Sequence, residues 1–127
     1  MKLLLDTHTI LWFFGDVEKL SEAALSAILD PENEKYVSIV SAWELVIKIS
    51  LGKLSFEGGI ANFFITVEEN GFEILPIKRE YIKHLEKLPF HHRDPFDRML
   101  IASAAVEGMS LISSDKEIIH YDVPNLW

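Results

Sequence analysis

The segment Lys2-Leu3-Leu4-Leu5-Asp6 restricts the possible folds of this chain more than any other stretch. Three consecutive leucines have no polar face, so a strand made of them must be covered on both sides. Strands of that kind belong to parallel sheets sandwiched between helices. Asp6 stands where the apolar run stops, at the C-terminal end of the expected strand. In open α/β sheets that edge is where ligands bind. A carboxylate there needs solvent, donors or a cation, because burying it alone is costly.

The following residues alternate between helix and strand patterns. Thr7 to Phe14 form a short apolar helix stopped by Gly15, and a second helix runs from an N-cap at Ser21 to about Leu29, before Asp30-Pro31. Tyr36 to Val40 reads as the second strand, and Ser41 then caps a helix reaching about Leu51. A helix over roughly Ile60 to Glu69 precedes a third strand, Phe72 to Leu75. Arg79 to Leu88 is amphipathic, and a polar loop, Pro89 to Arg93, leads into a helix from Pro95 to about Glu107. Met109 to Ser113 is the fourth strand, and Tyr121-Asp122-Val123 a short edge strand closed by Pro124. Strands alternating with helices without tight hairpins predict a parallel α/β sheet.

At 127 residues the chain is expected to form a single domain, residues 1–127. It has no cysteine, so neither disulfides nor thiolate metal sites contribute. Its apolar stretches fall short of the ~20 residues that cross a bilayer, and no targeting segment precedes Met1. The expectation is a soluble, cytoplasmic protein with no membrane contact. The net charge of −8 argues against a broad basic surface that coats nucleic acid. It leaves room for a small site that grips a phosphodiester through cations, and it suits a basic protein partner.

The carboxylates carry the chemistry. Asp6 and Asp115 each follow a strand, and in a parallel sheet both strand ends lie on one edge. Each also has an ordinary role as a helix N-cap. Glu44 stands three residues after Ser41, the spacing of a capping box, and Lys48 lies at i, i+4 from it. Asp94-Pro95-Phe96-Asp97 places an N-cap at Asp94, proline at the first helical position and Asp97 at the third. Asp97 heads the row Ile101 and Ala105, beside the core row Phe96, Leu100 and Ala104, so it lies towards the buried side. Asp6, Glu44, Asp97 and Asp115 can therefore converge at one sheet edge. Acids so close would repel, and some would stay protonated without cations. Oxygen ligands alone favour a hard divalent ion, Mg²⁺ or Mn²⁺. Such ions, singly or paired ~3.5–4 Å apart, support in-line attack on a phosphodiester.

Supporting candidates surround these four. Thr7 and Ser114 flank the strand-end acids and can hold them through their hydroxyls, and Arg98 beside Asp97 can bind phosphate or join an ion pair. His91 and His92 adjoin Asp94 in the polar loop, and His8 reads as structural or supporting. Gly52-Lys53-Leu54-Ser55 lacks the glycine spacing of a nucleotide-binding loop. Trp12, Phe13 and Phe14 are mostly core, with part of the cluster a possible partner groove.

Taken together, Leu4-Leu5-Asp6-Thr7-His8, Ser41-Ala42-Trp43-Glu44 with Lys48, His92-Arg93-Asp94-Pro95-Phe96-Asp97-Arg98, Ser114-Asp115 and the closing Tyr121 to Trp127 resemble PIN-domain nucleases, and within them the VapC-type toxins of prokaryotic toxin–antitoxin pairs. The resemblance runs nearly end to end, and its Asp-Pro-Phe-Asp-Arg element is the most specific part. It implies a three-layer α/β/α fold around about five mostly parallel strands. It also implies a Mg²⁺-dependent endoribonuclease whose metal-binding and catalytic acids are Asp6, Glu44, Asp97 and Asp115, with Asp94 an additional acid. A homodimer, and an antitoxin that wraps the toxin and fills its site, are implied as well. Two other readings stand beside this one. A metal-dependent phosphatase would use a strand-end aspartate as nucleophile, although the second acid usual two residues on is here His8. In a non-catalytic interaction module the acids would be caps and the apolar helix a docking face.

Overall fold

The computed structural model describes residues 1–127. Its centre is β1 (Lys2–Leu5), in which Leu3, Leu4 and Leu5 are all fully buried. The strands β2 (Glu34–Ser38), β3 (Glu73–Leu75), β4 (Ser110–Ile112) and β5 (Asn125–Leu126) complete a five-stranded sheet in the order β3-β2-β1-β4-β5. Every pairing is parallel, with Leu4 opposite Tyr36 on one side and Leu111 on the other.

The leucines of β1 divide between two cores, because successive side chains of a strand point to opposite faces. Leu4 joins Leu111 beneath α5 (Arg79–Lys87) and α6 (Pro95–Glu107), which contribute Tyr81, Leu100, Ile101 and Ala104. Leu3 and Leu5 join Val37 and Ile112 beneath α1 (Thr7–Gly15), α2 (Glu22–Leu29), α3 (Ile39–Ser50) and α4 (Gly59–Glu69), with Ile10, Ile28, Leu45 and Phe63. The architecture is three-layer α/β/α, as expected. No helix is long and apolar enough to cross a membrane.

Two local expectations need correction. The second strand stops at Ser38, and α3 starts at Ile39, before Ser41. Ser38 is the cap: its Oγ accepts the Val40 N–H at 3.0 Å. The β-branched Ile39-Val40 pair resembles strand sequence, but a cap directly ahead of it draws it into the helix. Tyr121 to Val123 is likewise not a strand. Residues Lys116–His120 form a short 3₁₀ turn, and the edge strand follows Pro124 at Asn125–Leu126. The aromatics of α1 are partly buried, and part of the cluster stays open as expected, Phe14 lining a groove with Leu11, Leu54 and Phe56. Phe13 and Phe14 meet Phe72 edge-on, and Trp12 lies against Trp127. A second, wholly apolar surface lies between α3 and α4, around Trp43, Val46, Ile60 and Phe64.

Arg98 is structural and does not face a ligand. It is 6% exposed, and its guanidinium donates to the carbonyls of Leu88 (3.2 Å) and Pro89 (2.7 Å) and to the Tyr121 hydroxyl (3.3 Å). Its charged carbon lies 3.9 Å from the centre of the Phe90 ring. One side chain thus fastens the loop between α5 and α6 to the C-terminal segment. We expect Arg98→Ala to lower unfolding free energy by about 1–3 kcal/mol in urea titration, because the carbonyls it satisfies lose their donor. An unchanged midpoint would show that the loop does not need this anchor.

Candidate active site

Strand order places the site. The chain leaves β1 towards β2 and β3, then returns to the other side of β1 for β4. The C-terminal ends of β1 and β4 therefore flank the point where connections run in opposite directions, the usual ligand crevice of an open α/β sheet. Asp6 follows β1 and Asp115 lies just beyond β4. Asp6 is 5% exposed and both of its oxygens are engaged. Oδ1 caps α1 by accepting the Thr9 N–H at 2.8 Å, and Oδ2 accepts the Ser113 hydroxyl. The Thr9 hydroxyl donates to the Ile112 carbonyl at 2.9 Å, tying the first turn of α1 to the end of β4.

Ser113, not Ser114, is the serine that holds an acid. Its Oγ also accepts the Asp115 N–H at 3.1 Å, so one buried hydroxyl relates both strand-end carboxylates. Ser114 alternates outward and lines the pocket as an exposed residue. Thr7 does hold an acid, though across the sheet edge: its hydroxyl lies 2.6 Å from Glu44 Oε1 and 3.0 Å from Ser41 Oγ. Because α3 begins at Ile39, Glu44 sits in its second turn and forms no capping box with Ser41. Its other oxygen meets Lys48 Nζ at 3.2 Å, the i, i+4 pair expected.

The fourth part is the start of α6. Asp94 caps it, Oδ1 accepting the N–H groups of Phe96 (2.8 Å) and Asp97 (3.3 Å). The Asp97 side chain reaches His92, 3.1 Å from Nε2 to Oδ2. The same Nε2 lies 2.7 Å from Asp115 Oδ2, while Asp115 Oδ1 caps the 3₁₀ turn through the Glu117 N–H at 2.9 Å. The three facing atoms of His92, Asp97 and Asp115 lie within 4.8 Å of one another. On spacing alone that trio would suit an ion. His92 Nδ1, however, accepts the Asp94 N–H at 3.1 Å, which needs an unprotonated Nδ1 and keeps the ring proton on Nε2. The imidazole is therefore a donor shared by two acids, and the remaining ligand atoms are carboxylate oxygens. The His92 backbone N–H donates to the Tyr121 hydroxyl at 2.7 Å. Neither the central place of His92 nor the role of Ser113 was legible locally, since both depend on what faces them across the fold.

Asp6, Thr7, Glu44, Lys48, Asp94, Asp97, Ser114 and Asp115 line one cavity of about 350 Å³, with His8 and Trp12 on its wall. Of the expected residues, Arg98 and His91 point elsewhere, the His91 ring packing against those of Tyr121 and His120. The crowding of acids has a measurable cost. Burial first, then the charge of Asp94, raises the Asp97 carboxyl from 3.8 to about 7; His92 opposes this, and Asp6 and Glu44 add to it. Burial works against a charge on His92, yet the hydrogen bond to Asp115 and the charges of Asp97, Asp115 and Asp94 outweigh it and raise its pKa. A pocket lined by five carboxylates, one of which, Asp97, is held protonated towards neutrality, and with no soft donor facing it, fits a hard divalent cation.

The PIN domain family profile matches residues 3–124. No curated protein matches the chain significantly. Among solved structures, the chain is similar to VapBC2 from Rickettsia felis, bound to a DNA fragment from their promoter, with TM-score 0.74 and 14% identity over 100% of both chains. It is also similar to VapBC-1 from nontypeable Haemophilus influenzae, with TM-score 0.70 and 18% identity over 98% of this chain and 96% of that one. A toxin–antitoxin complex from Klebsiella pneumoniae aligns with TM-score 0.63 and 16% identity, covering 94% and 92%. At such identities the likeness is one of fold. The profile match spans nearly the whole sequence, and on that ground the protein belongs to the PIN-domain family.

Proposed function

We propose that the protein is a metal-dependent endoribonuclease, a single-domain toxin of a toxin–antitoxin pair that hydrolyses RNA phosphodiester bonds in the acidic cavity. The observation that carries this reading is the convergence of Asp6, Glu44, Asp94, Asp97 and Asp115, from four places in the chain, on one pocket. Membership of the PIN-domain family and likeness to VapBC folds support it. An antitoxin protein as partner, a homodimer and a cytoplasmic location belong to the same proposal.

Asp6, Asp97, Asp115 and Glu44 would hold Mg²⁺ or Mn²⁺, which when bound supplies Lewis-acid stabilisation of phosphate charge and a water nucleophile at neutral pH. The chain's own groups prepare that chemistry. Thr9 and Ser113 fix the orientation of Asp6 before any ligand arrives, and Thr7 and Lys48 do the same for Glu44. Asp97, whose carboxyl is raised to about 7 in the metal-free site, would give up its proton as the cation binds. His92 keeps Asp97 and Asp115 together through a single donor. Lys48 brings a positive charge to a cavity otherwise hostile to phosphate. Preorganised groups of this kind act without reorganising during the reaction.

Purified protein, freed of any bound partner, is expected to cleave RNA with Mg²⁺ or Mn²⁺ and to stop with EDTA. Asp6→Asn and Asp97→Asn should each lose on the order of 10²-fold or more in rate, the scale of removing a preorganised charge-stabilising group. Cleavage that persists in both variants would refute the assignment.

Titration of Asp97 gives a second expectation. Between 3.8 and about 7 the folded protein keeps a proton that the unfolded chain has lost. Metal-free stability therefore falls as pH rises through that interval. Asp97→Asn should flatten the fall seen in melting temperature against pH, and saturating Mg²⁺ should do the same for the native protein. A wild-type profile that rises from pH 4 to 7 and ignores both changes would contradict the electrostatics described.

A further inference from the structure

An aromatic plate forms one wall of the acidic cavity. Trp12 is the one apolar residue lining it, and it is only partly buried. Its ring lies 5.7 Å from that of His8, itself exposed and on the same wall, at an interplanar angle of 40°. Behind it stands Trp127, 5.8 Å away and tilted by 58°. Lys19 Nζ lies 6.0 Å from the indole centre. A large, supported, half-open π surface thus borders the carboxylates directly.

Its use follows from the charge balance. With 12 Lys and Arg against 20 Asp and Glu, the chain has few cations for phosphates. Only Lys48 brings a fixed positive charge into the cavity. Away from the phosphate that a cation held by the acids would meet, phosphate contacts would be weak, and the remaining affinity has to come from uncharged contacts. Base–aromatic stacking is the uncharged contact open to a nucleic acid, and it needs a base free of its own neighbours. We infer that Trp12, with His8 beside it, is a stacking subsite for an unpaired nucleobase next to the scissile phosphate, so that the substrate is single-stranded there. The inference rests on the nuclease reading and adds to it the residue that holds a base beside the scissile bond. A duplex cannot satisfy this wall, because its bases stay in their stack unless one is paid out of it.

The test measures binding by fluorescence anisotropy of labelled RNA, on Asp97→Asn protein so that the strand stays intact. Four RNAs are compared: a single strand, its duplex, and single strands carrying one abasic position at, or six nucleotides from, the bond that the wild type cuts. Trp12→Ala should weaken single-strand binding roughly 5- to 150-fold, the equivalent of the ~1–3 kcal/mol of one stacked base, while Trp12→Phe should keep most of it. The abasic position at the cut bond should cost as much as Trp12→Ala, and the two together should cost little more than either. The distant abasic position should cost little, the duplex should bind weakly, and the single-strand affinity should vary only gently with salt. Equal losses by Trp12→Ala on intact and abasic RNA would overturn the inference, as would duplex bound as well as single strand. Either result, with RNA still cut by the wild type, leaves the nuclease reading standing. No RNA bound by the variant and none cut by the wild type would remove both.

Discussion

Like-charge repulsion at the end of a fully buried strand is the constraint that the rest of this molecule answers. β1 has leucines on both faces, so its direction and depth admit no alternative, and Asp6 is carried to the sheet edge with it. The strand order then brings Asp115 beside Asp6, and α3 and α6 deliver Glu44 and Asp97. Left alone, those charges would push the edge apart. They are held by donors drawn from different elements: Thr7 and Lys48 for Glu44, Thr9 and Ser113 for Asp6, His92 for Asp97 and Asp115. Each donor reduces the repulsion without cancelling it, and at Asp97 what remains adds to burial in raising the carboxyl.

The dual use of the acids follows from the same arrangement. Asp6, Asp94 and Asp115 are all helix caps, the ordinary role weighed against a functional one. Capping occupies one oxygen of each. The second oxygen of Asp6 and of Asp115 is turned to Ser113 and His92 at the pocket, so structural and chemical roles coexist in one carboxylate. The helix termini assembled at a sheet edge supply both the N–H groups that fix these acids and the positive dipole ends that favour their charge.

Much of this was legible in the chain because the signals are local. The triple leucine, the Ser21 cap and the Asp94-Pro95 start of α6 are decided by neighbours in sequence, and the α6 boundaries agree with the expectation. Where the reading failed, a local pattern had two solutions. Ser38 and Ser41 both precede helix-compatible sequence, and the earlier one caps, which removes the capping box and leaves Glu44 to Thr7, 37 residues away. Ser113 and Ser114 are indistinguishable by type, and only the alternation past β4 decides which reaches Asp6. Arg98 looked like a phosphate ligand because it adjoins Asp97, yet adjacent helical residues point about 100° apart, and its side chain faces the core. His92 could not be placed at all without Tyr121, on the far side of the loop.

That tyrosine has a wider meaning. Its hydroxyl is the one point at which the His92 amide and the Arg98 guanidinium meet, and it belongs to a stretch between β4 and β5 that holds only a single 3₁₀ turn. Segments with so little regular structure open at lower free energy than the strands they adjoin. Here packing opposes such opening: Ile118 and Tyr121 are buried in the core beneath α5 and α6, so the same contacts that complete that core also hold Asp115 and the support of His92. The site is thus built in two halves, one carried by the sheet and one by the C-terminal segment. Whatever grips that segment, or pulls on it, acts on the assembly of the site with no need to enter the cavity.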